Sequence, residues 1–302
     1  MRAIVTGGAG FLGRFVVDRL RQENIEVLSC DIVAPQEGKR LDVTSTADVD
    51  ALLASTRPEL VVHLAAATGS SGKGGGAESM KNPFDYLRAN IMGTLNIFES
   101  CRRNRVAKVI YMSSFSPYGA TGRALTEDTP LNPSNPYGAS KACAETIAKC
   151  YALNYGIKTI VFRAPLLCGE GQRELNALRE FAMSVRRGEP IAILGEGKHV
   201  REWVHPSDAA DAFARAIPYF ERMETNFETF VLGNSPVSMK DLANLVIKAT
   251  GKNVRVERRE STMQVFDQFT DTSKVRRALG WQPRISVEQI VQRVVADVFD
   301  KS

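Results

Sequence analysis

Thr6-Gly7-Gly8-Ala9-Gly10-Phe11-Leu12-Gly13 is the stretch on which the fold turns. It follows a short apolar run, Ala3–Thr6, and opens a helical pattern in which Leu12, Phe15, Val16 and Leu20 share one face. Gly7 permits a tight turn, Gly10 lets the backbone approach a pyrophosphate, and Gly13 lets the helix lie close to the strand. The helix start at Phe11 and Leu12 offers unpaired N–H groups and a partial positive charge to phosphate. Asp31 stands at the end of the second apolar run, where a carboxylate accepts hydrogen bonds from both ribose hydroxyls. It would repel a 2′-phosphate, and neither Ile32 nor Val33 supplies a compensating charge, so NAD is expected over NADP.

Working outward, further short apolar runs fall at Glu26–Cys30, Leu60–Ala65, Lys108–Ser113 and Lys158–Arg163. Amphipathic stretches separate them. Ser45-Thr46-Ala47-Asp48 looks like a capping box opening a helix with Val49, Leu52 and Leu53, and Leu87, Ile91, Leu95 and Phe98 mark another. This alternation predicts an α/β fold, a doubly wound parallel sheet of the Rossmann type. The second half is less regular. Helices are expected at Pro206–Phe220, Ser238–Thr250 and Val287–Phe299, with strands at Thr229–Leu232 and Asn253–Glu257. The expected division is a nucleotide-binding domain over 1–164, joined again by 205–235. A smaller α+β lobe for substrate takes 165–204 and 236–302. The glycine-rich stretch Gly69–Gly76 reads as a flexible loop after a strand end, either an active-site loop or plain disorder.

Composition excludes several function classes. The 302 residues are 44% hydrophobic and 24% charged, an ordinary globular mix large enough for a full core. The net charge of +5 is spread along the chain, which suits an anionic small molecule and does not point to nucleic acid. The five cysteines, an odd number with no Cys-x-x-Cys, read as reduced thiols of a cytoplasmic protein. The three histidines are scattered, so no metal site is expected. Met1-Arg2-Ala3-Ile4-Val5 runs straight into the first glycine turn, so no signal peptide is expected, and no apolar run is long enough for a membrane span.

The candidate chemistry sits in Pro136-Tyr137-Gly138-Ala139-Ser140-Lys141. Pro136 suits a helix start, and Tyr137 and Lys141 then share a face. An ammonium beside a phenol favours the phenolate, whose ordinary pKa is ~10. Such a pair alone is also an ordinary helix face. Ser113-Ser114 ends the Lys108 strand just upstream, at the sheet edge where ligands meet open parallel sheets. There Ser114 is either a turn serine or a hydroxyl that bonds substrate and tyrosine together.

Together these segments resemble the extended short-chain dehydrogenase/reductases, of the NAD-dependent sugar epimerase/dehydratase kind, over nearly the whole chain. Thr6–Gly13 resembles that family's TGxxGxxG, Asp42-Val43 its adenine-side pair, and His63-Leu64-Ala65-Ala66 its HxAA segment along the cofactor. Asn90 with Gly93-Thr94 resembles NxxGT, Met112–Gly119 resembles SSSxxxYG, and Tyr137 with Lys141 falls on YxxxK. Arg201-Glu202-Trp203-Val204-His205 resembles RDxxH, and Asp271–Lys274 with Leu279-Gly280-Trp281 resembles DxSK…LGW. The resemblance implies catalysis by Ser114, Tyr137 and Lys141. It implies NAD contacts at Gly7, Gly10, Phe11, Leu12, Gly13, Asp31, Asp42, Val43, Leu64, Ala65, Ala66, Asn90, Tyr137, Lys141 and Pro165. A nucleotide-diphosphate sugar would meet Ser114, Tyr137, Arg201 and one of Arg258 and Arg259, between which the spacing does not choose. A homodimer is implied through the helices matching Asn90–Arg103 and Tyr137–Asn154.

Two departures bear on the reaction. Leu166 stands where family members often carry a sugar-contacting Asn. Phe115-Ser116 lacks the acid that dehydratases and decarboxylases carry there. The leading expectation is a nucleotide-sugar 4-epimerase with transient hydride transfer to tightly bound NAD. The alternatives are a net NAD-dependent sugar dehydrogenase or keto-sugar reductase and, in another class, a non-catalytic NAD sensor.

Overall fold

The computed structural model describes residues 1–68, 79–260 and 267–300. The Gly69–Gly76 stretch lies outside the described residues. Seven strands make one sheet: β1 (Arg2–Thr6), β2 (Glu26–Asp31), β3 (Gly38–Arg40), β4 (Leu60–His63), β5 (Lys108–Met112), β6 (Lys158–Arg163) and β7 (Phe227–Val231). Their order across the sheet is β7-β6-β5-β4-β1-β2-β3, and every pairing is parallel. The chain leaves β1 toward β2 on one side and resumes at β4 on the other. That reversal opens a crevice above the carboxyl end of β1.

The two-residue period of each strand divides the core between the two faces. Ala3, Val5, Leu60, Val62, Ile110 and Phe162 join Val16, Leu20 and Phe213, from helices Phe11–Gln22 and Pro206–Tyr219. Ile4, Val61 and Val109 join Leu53, Phe98 and Ala148, from helices Thr46–Thr56, Gly93–Arg103 and Pro136–Tyr155. With both faces covered, the central strands read as continuous apolar runs.

A third cluster has its own helices, Ala177–Arg187, Met239–Thr250 and Val287–Asp300. Leu178, Phe181, Leu242, Val246, Ile290 and Val294 fill it, beside the paired strands Ile191–Leu194 and Val256–Arg259. Several helix starts are set locally. Ser45, Asn135 and Ser238 each accept a hydrogen bond from the backbone N–H three residues on.

Two expectations are corrected, and one strand, β3, was not expected. The strand expected at Asn253–Glu257 lies at Val256–Arg259, because backbone pairing with Ile191–Leu194 rather than apolar pattern positions it. β3 had no apolar signal, since all three of its residues are exposed. The helix through Leu87 and Phe98 is not uniform: Arg88–Met92 is a π-helical turn. There Asn90 sends its side chain sideways to the backbone of Ala67 and to Ser140.

Candidate active site

The glycine turn is shaped by contacts that leave no room for side chains. Gly7 has φ +73°, and a Cβ there would stand 2.7 Å from the Ala65 backbone nitrogen. A Cβ on Gly13 would meet the Gly7 carbonyl at 2.0 Å, and one on Gly10 would meet the same oxygen at 3.0 Å. Helix Phe11–Gln22 starts at Gly10 with no side-chain cap, which leaves its first N–H groups to a ligand. Asp31 accepts a hydrogen bond from the Ala9 N–H at 3.0 Å, so the acid also holds the turn. Ile32 and Val33 beside it are exposed, a flat apolar shelf at the end of β2. On the neighbouring β3, Arg40 stands opposite Asp31 and donates to the Ile32 carbonyl at 3.3 Å. The sequence reading missed this cation because it missed β3.

Across the crevice, Asp42 is fixed by the Thr44 N–H and hydroxyl at 2.9 and 2.8 Å, which hold its carboxyl below the usual range. Buried Val43 packs where a Cβ on Gly93 would stand 2.7 Å from its Cγ2. Leu64, Ala65 and Ala66 follow β4, pinned by the Leu64 N–H to the Thr6 carbonyl and the Ala65 N–H to the Thr6 hydroxyl. His63 is buried between the hydroxyls of Thr6 and Thr94, at 2.8 and 3.2 Å, and burial drives its pKa down to about 3. It is therefore a neutral bracket beneath the crevice. Asn90 is nearly fully buried, with both polar ends of its side chain bonded within the protein. Pro165 lies just past β6, half-buried at the same edge.

These features fit NAD: a glycine-lined turn, an uncapped helix start, a ribose-height carboxylate and an apolar shelf, all at the carboxyl edge of one sheet. Tyr137 and Lys141 lie one turn apart on helix Pro136–Tyr155, facing the ends of β4 and β5. The Ser114 hydroxyl accepts a hydrogen bond from the Ser116 N–H at 3.2 Å and lies near enough to the Tyr137 phenol to favour its ionised form. The Tyr137 N–H donates to the Ser79 hydroxyl at 3.1 Å, and the Ser140 hydroxyl to the Tyr137 carbonyl at 2.7 Å. The Tyr86 ring meets the Tyr137 ring edge-on at 6.2 Å.

The electrostatics differ from the simple expectation of a lysine lowering its neighbour. Burial pushes the phenol up to about 12, with the nearby Ser114 hydroxyl acting in the opposite direction. Lys141 donates to the Met112 carbonyl at 2.8 Å and lies over the Tyr111 ring at 4.8 Å. Burial drives its pKa down to about 7, against the pull of Glu145. Low dielectric penalises both charged forms.

Sequence reasoning missed two carboxylates. Glu145 follows Lys141 by one further turn and forms a buried ion pair with Arg163, whose Nη2 stands 2.7 Å from its Oε2. Ser113 also hydrogen-bonds Glu145. The recurrence Tyr137, Lys141, Glu145 at four-residue steps was a usable signal for that face. Glu174, 37 residues after Tyr137, had none. It accepts a hydrogen bond from the Thr68 hydroxyl at 2.8 Å and raises the pKa of Tyr137 through its charge.

Of the substrate candidates, Arg201 is half-buried on strand Val200–Arg201, and burial lowers its pKa. Arg258 and Arg259 are both exposed on strand Val256–Arg259. Leu166 is 42% exposed. Among the described residues, no group of three His, Cys, Asp or Glu is placed to hold a metal, and no helix is long and apolar enough to cross a membrane.

Comparison with known proteins agrees with this geometry. Residues 3–233 match the model of the NAD dependent epimerase/dehydratase family. The chain is 29% identical to a UDP-glucose 4-epimerase of Mycolicibacterium smegmatis over the full length of both. It is 27% identical to a UDP-glucuronate 4-epimerase of Thermodesulfobacterium geofontis, covering 97% of this chain and 94% of that one. The structure of a UDP-glucose 4-epimerase from Thermotoga maritima, solved with UDP-glucose, superposes with a TM-score of 0.87 at 27% identity over 98% of each chain. The chain belongs to the NAD-dependent epimerase/dehydratase family, and its cofactor is NAD.

Proposed function

We propose that the protein is a nucleotide-sugar 4-epimerase whose site is Ser114, Tyr137 and Lys141. The observation that carries this reading is the meeting of Ser114, Tyr137 and Lys141 past the end of β5, at the sheet edge that also bears the glycine turn. NAD held by the Gly7–Gly13 turn and Asp31 would supply a reversible hydride acceptor and, when oxidised, a positive charge. Tyr137 takes the proton of the sugar 4-hydroxyl and gives it back after the ring has turned over. Ser114 holds that hydroxyl and the phenol in line. Lys141, anchored on the Met112 carbonyl, is positioned to hold the nicotinamide ribose. Burial disfavours the charge that Arg201 carries, and an anion beside it would offset that cost. This supports Arg201 as the partner of the sugar diphosphate, with Arg258 or Arg259 at the nucleotide end.

Leu166 supports a second reading, net oxidation or reduction of a less polar sugar, because an apolar side chain is 42% exposed there. The same proposal includes a homodimer. Phe84 and Met92, and Leu153 and Tyr155, leave large apolar groups exposed on the Pro83–Arg103 and Pro136–Tyr155 segments. Cytoplasmic location is supported by five free cysteines, three of them buried. The test follows anomeric proton signals after purified protein is mixed with UDP-glucose or UDP-galactose and no added NAD. Interconversion without NADH build-up is expected. Stoichiometric NADH would favour the second reading and overturn the first.

A further inference from the structure

Glu174 is a carboxylate in the site that neither the glycine turn nor the Ser114–Tyr137–Lys141 set requires. It lies two residues before Asn176, which caps helix Ala177–Arg187 of the smaller lobe. Thr68 lies past the carboxyl end of β4, so their 2.8 Å hydrogen bond joins the smaller lobe to the sheet. That bond uses Oε1, and Oε2 has no partner among the described residues. The carboxylate is close enough to Tyr137 for its charge to act on the phenol. Burial raises the Glu174 pKa, opposed only by the Thr68 hydrogen bond, and no cation contributes.

Resting on the epimerase reading, we infer that Glu174 is a specificity-determining residue. It accepts a hydrogen bond from a hydroxyl of an uncharged hexose and excludes uronic acids. A sugar hydroxyl donates to Oε2, which the Thr68 bond leaves available. A sugar carboxylate brings a second negative charge into a partly desolvated place without a cation, which selects against it by repulsion. The sequence hid this because residues 68 and 174 meet only through the fold.

The test uses NAD-loaded protein, wild type and Glu174→Gln, with UDP-glucose and UDP-glucuronate. Gln keeps an acceptor for Thr68 and removes the charge, so a purely structural tie between the lobes would not move selectivity. Binding is titrated alongside kcat/KM. Wild type is expected to bind UDP-glucuronate about 100-fold more weakly than UDP-glucose, and Glu174→Gln to narrow that ratio about tenfold, mainly through tighter uronate binding. Bound NAD should be unchanged. An unchanged ratio in the variant, or equal wild-type affinity for the two sugars, overturns the inference. Selective binding without turnover overturns the epimerase reading and leaves this one standing. Failure to bind either sugar overturns both.

Discussion

Tyr137→Phe is expected to lower turnover by between about 10²- and 10⁴-fold while the protein keeps its NAD. The hydroxyl is the only atom removed. The ring keeps its edge-on contact with Tyr86 at 6.2 Å, and the residue's backbone keeps its bonds to Ser79 and Ser140. The glycine turn, Asp31 and Lys141 are untouched. The phenol oxygen beside Ser114 is lost at the place where proton transfer is needed. The check is steady-state turnover together with bound NAD released by denaturation. Activity within threefold of wild type would remove Tyr137 from the acid/base role.

Glu145→Ala carries the second large effect, on stability. Arg163 gives Glu145 three hydrogen bonds within a buried pair, its Nε reaching both carboxylate oxygens at 3.1 and 3.0 Å. It also donates to the Tyr118 hydroxyl at 2.9 Å and the Glu127 carbonyl at 3.0 Å. Truncating the acid strands a guanidinium in the core and leaves Ser113 without its acceptor. The expected cost is about 3–5 kcal/mol, read from denaturant midpoints. Replacing both partners, Glu145→Met with Arg163→Met, should recover much of that loss, because no buried charge is then orphaned. A single variant within about 1 kcal/mol of wild type would show that the pair is dispensable.

What was legible in the sequence follows from distance along the chain. The glycine turn, the Ser45 and Ser238 caps and the Tyr137–Lys141 face are set by residues within eight positions of one another. The apolar runs of β1, β4, β5 and β6 were plain because both faces of each are covered. β3 was hidden because its three exposed residues are held only by backbone pairing with β2. The π turn at Arg88–Met92 was hidden because its cause is a partner 23 residues back, Ala67, and another 50 ahead, Ser140. Arg163–Glu145 and Thr68–Glu174 are likewise contacts of tertiary structure. The direction of the Tyr137 shift was hidden for a related reason. Spacing gives proximity, whereas the sign of the shift is decided by burial, which spacing does not show.

The absence of an acid at Phe115-Ser116 pointed toward epimerisation, and the acid whose charge acts on Tyr137 is Glu174, shortly before helix Ala177–Arg187. The central claim is therefore best tested on the hydrogen that moves. UDP-glucose carrying deuterium at C4 is incubated with purified protein in ordinary water, without added NAD, and the UDP-galactose formed is examined by mass and proton spectra. The account predicts that the label stays on C4 of the product, because the same hydrogen leaves and returns within one closed site. Product with a solvent proton at C4, or deuterium collected in free NADH, would contradict it.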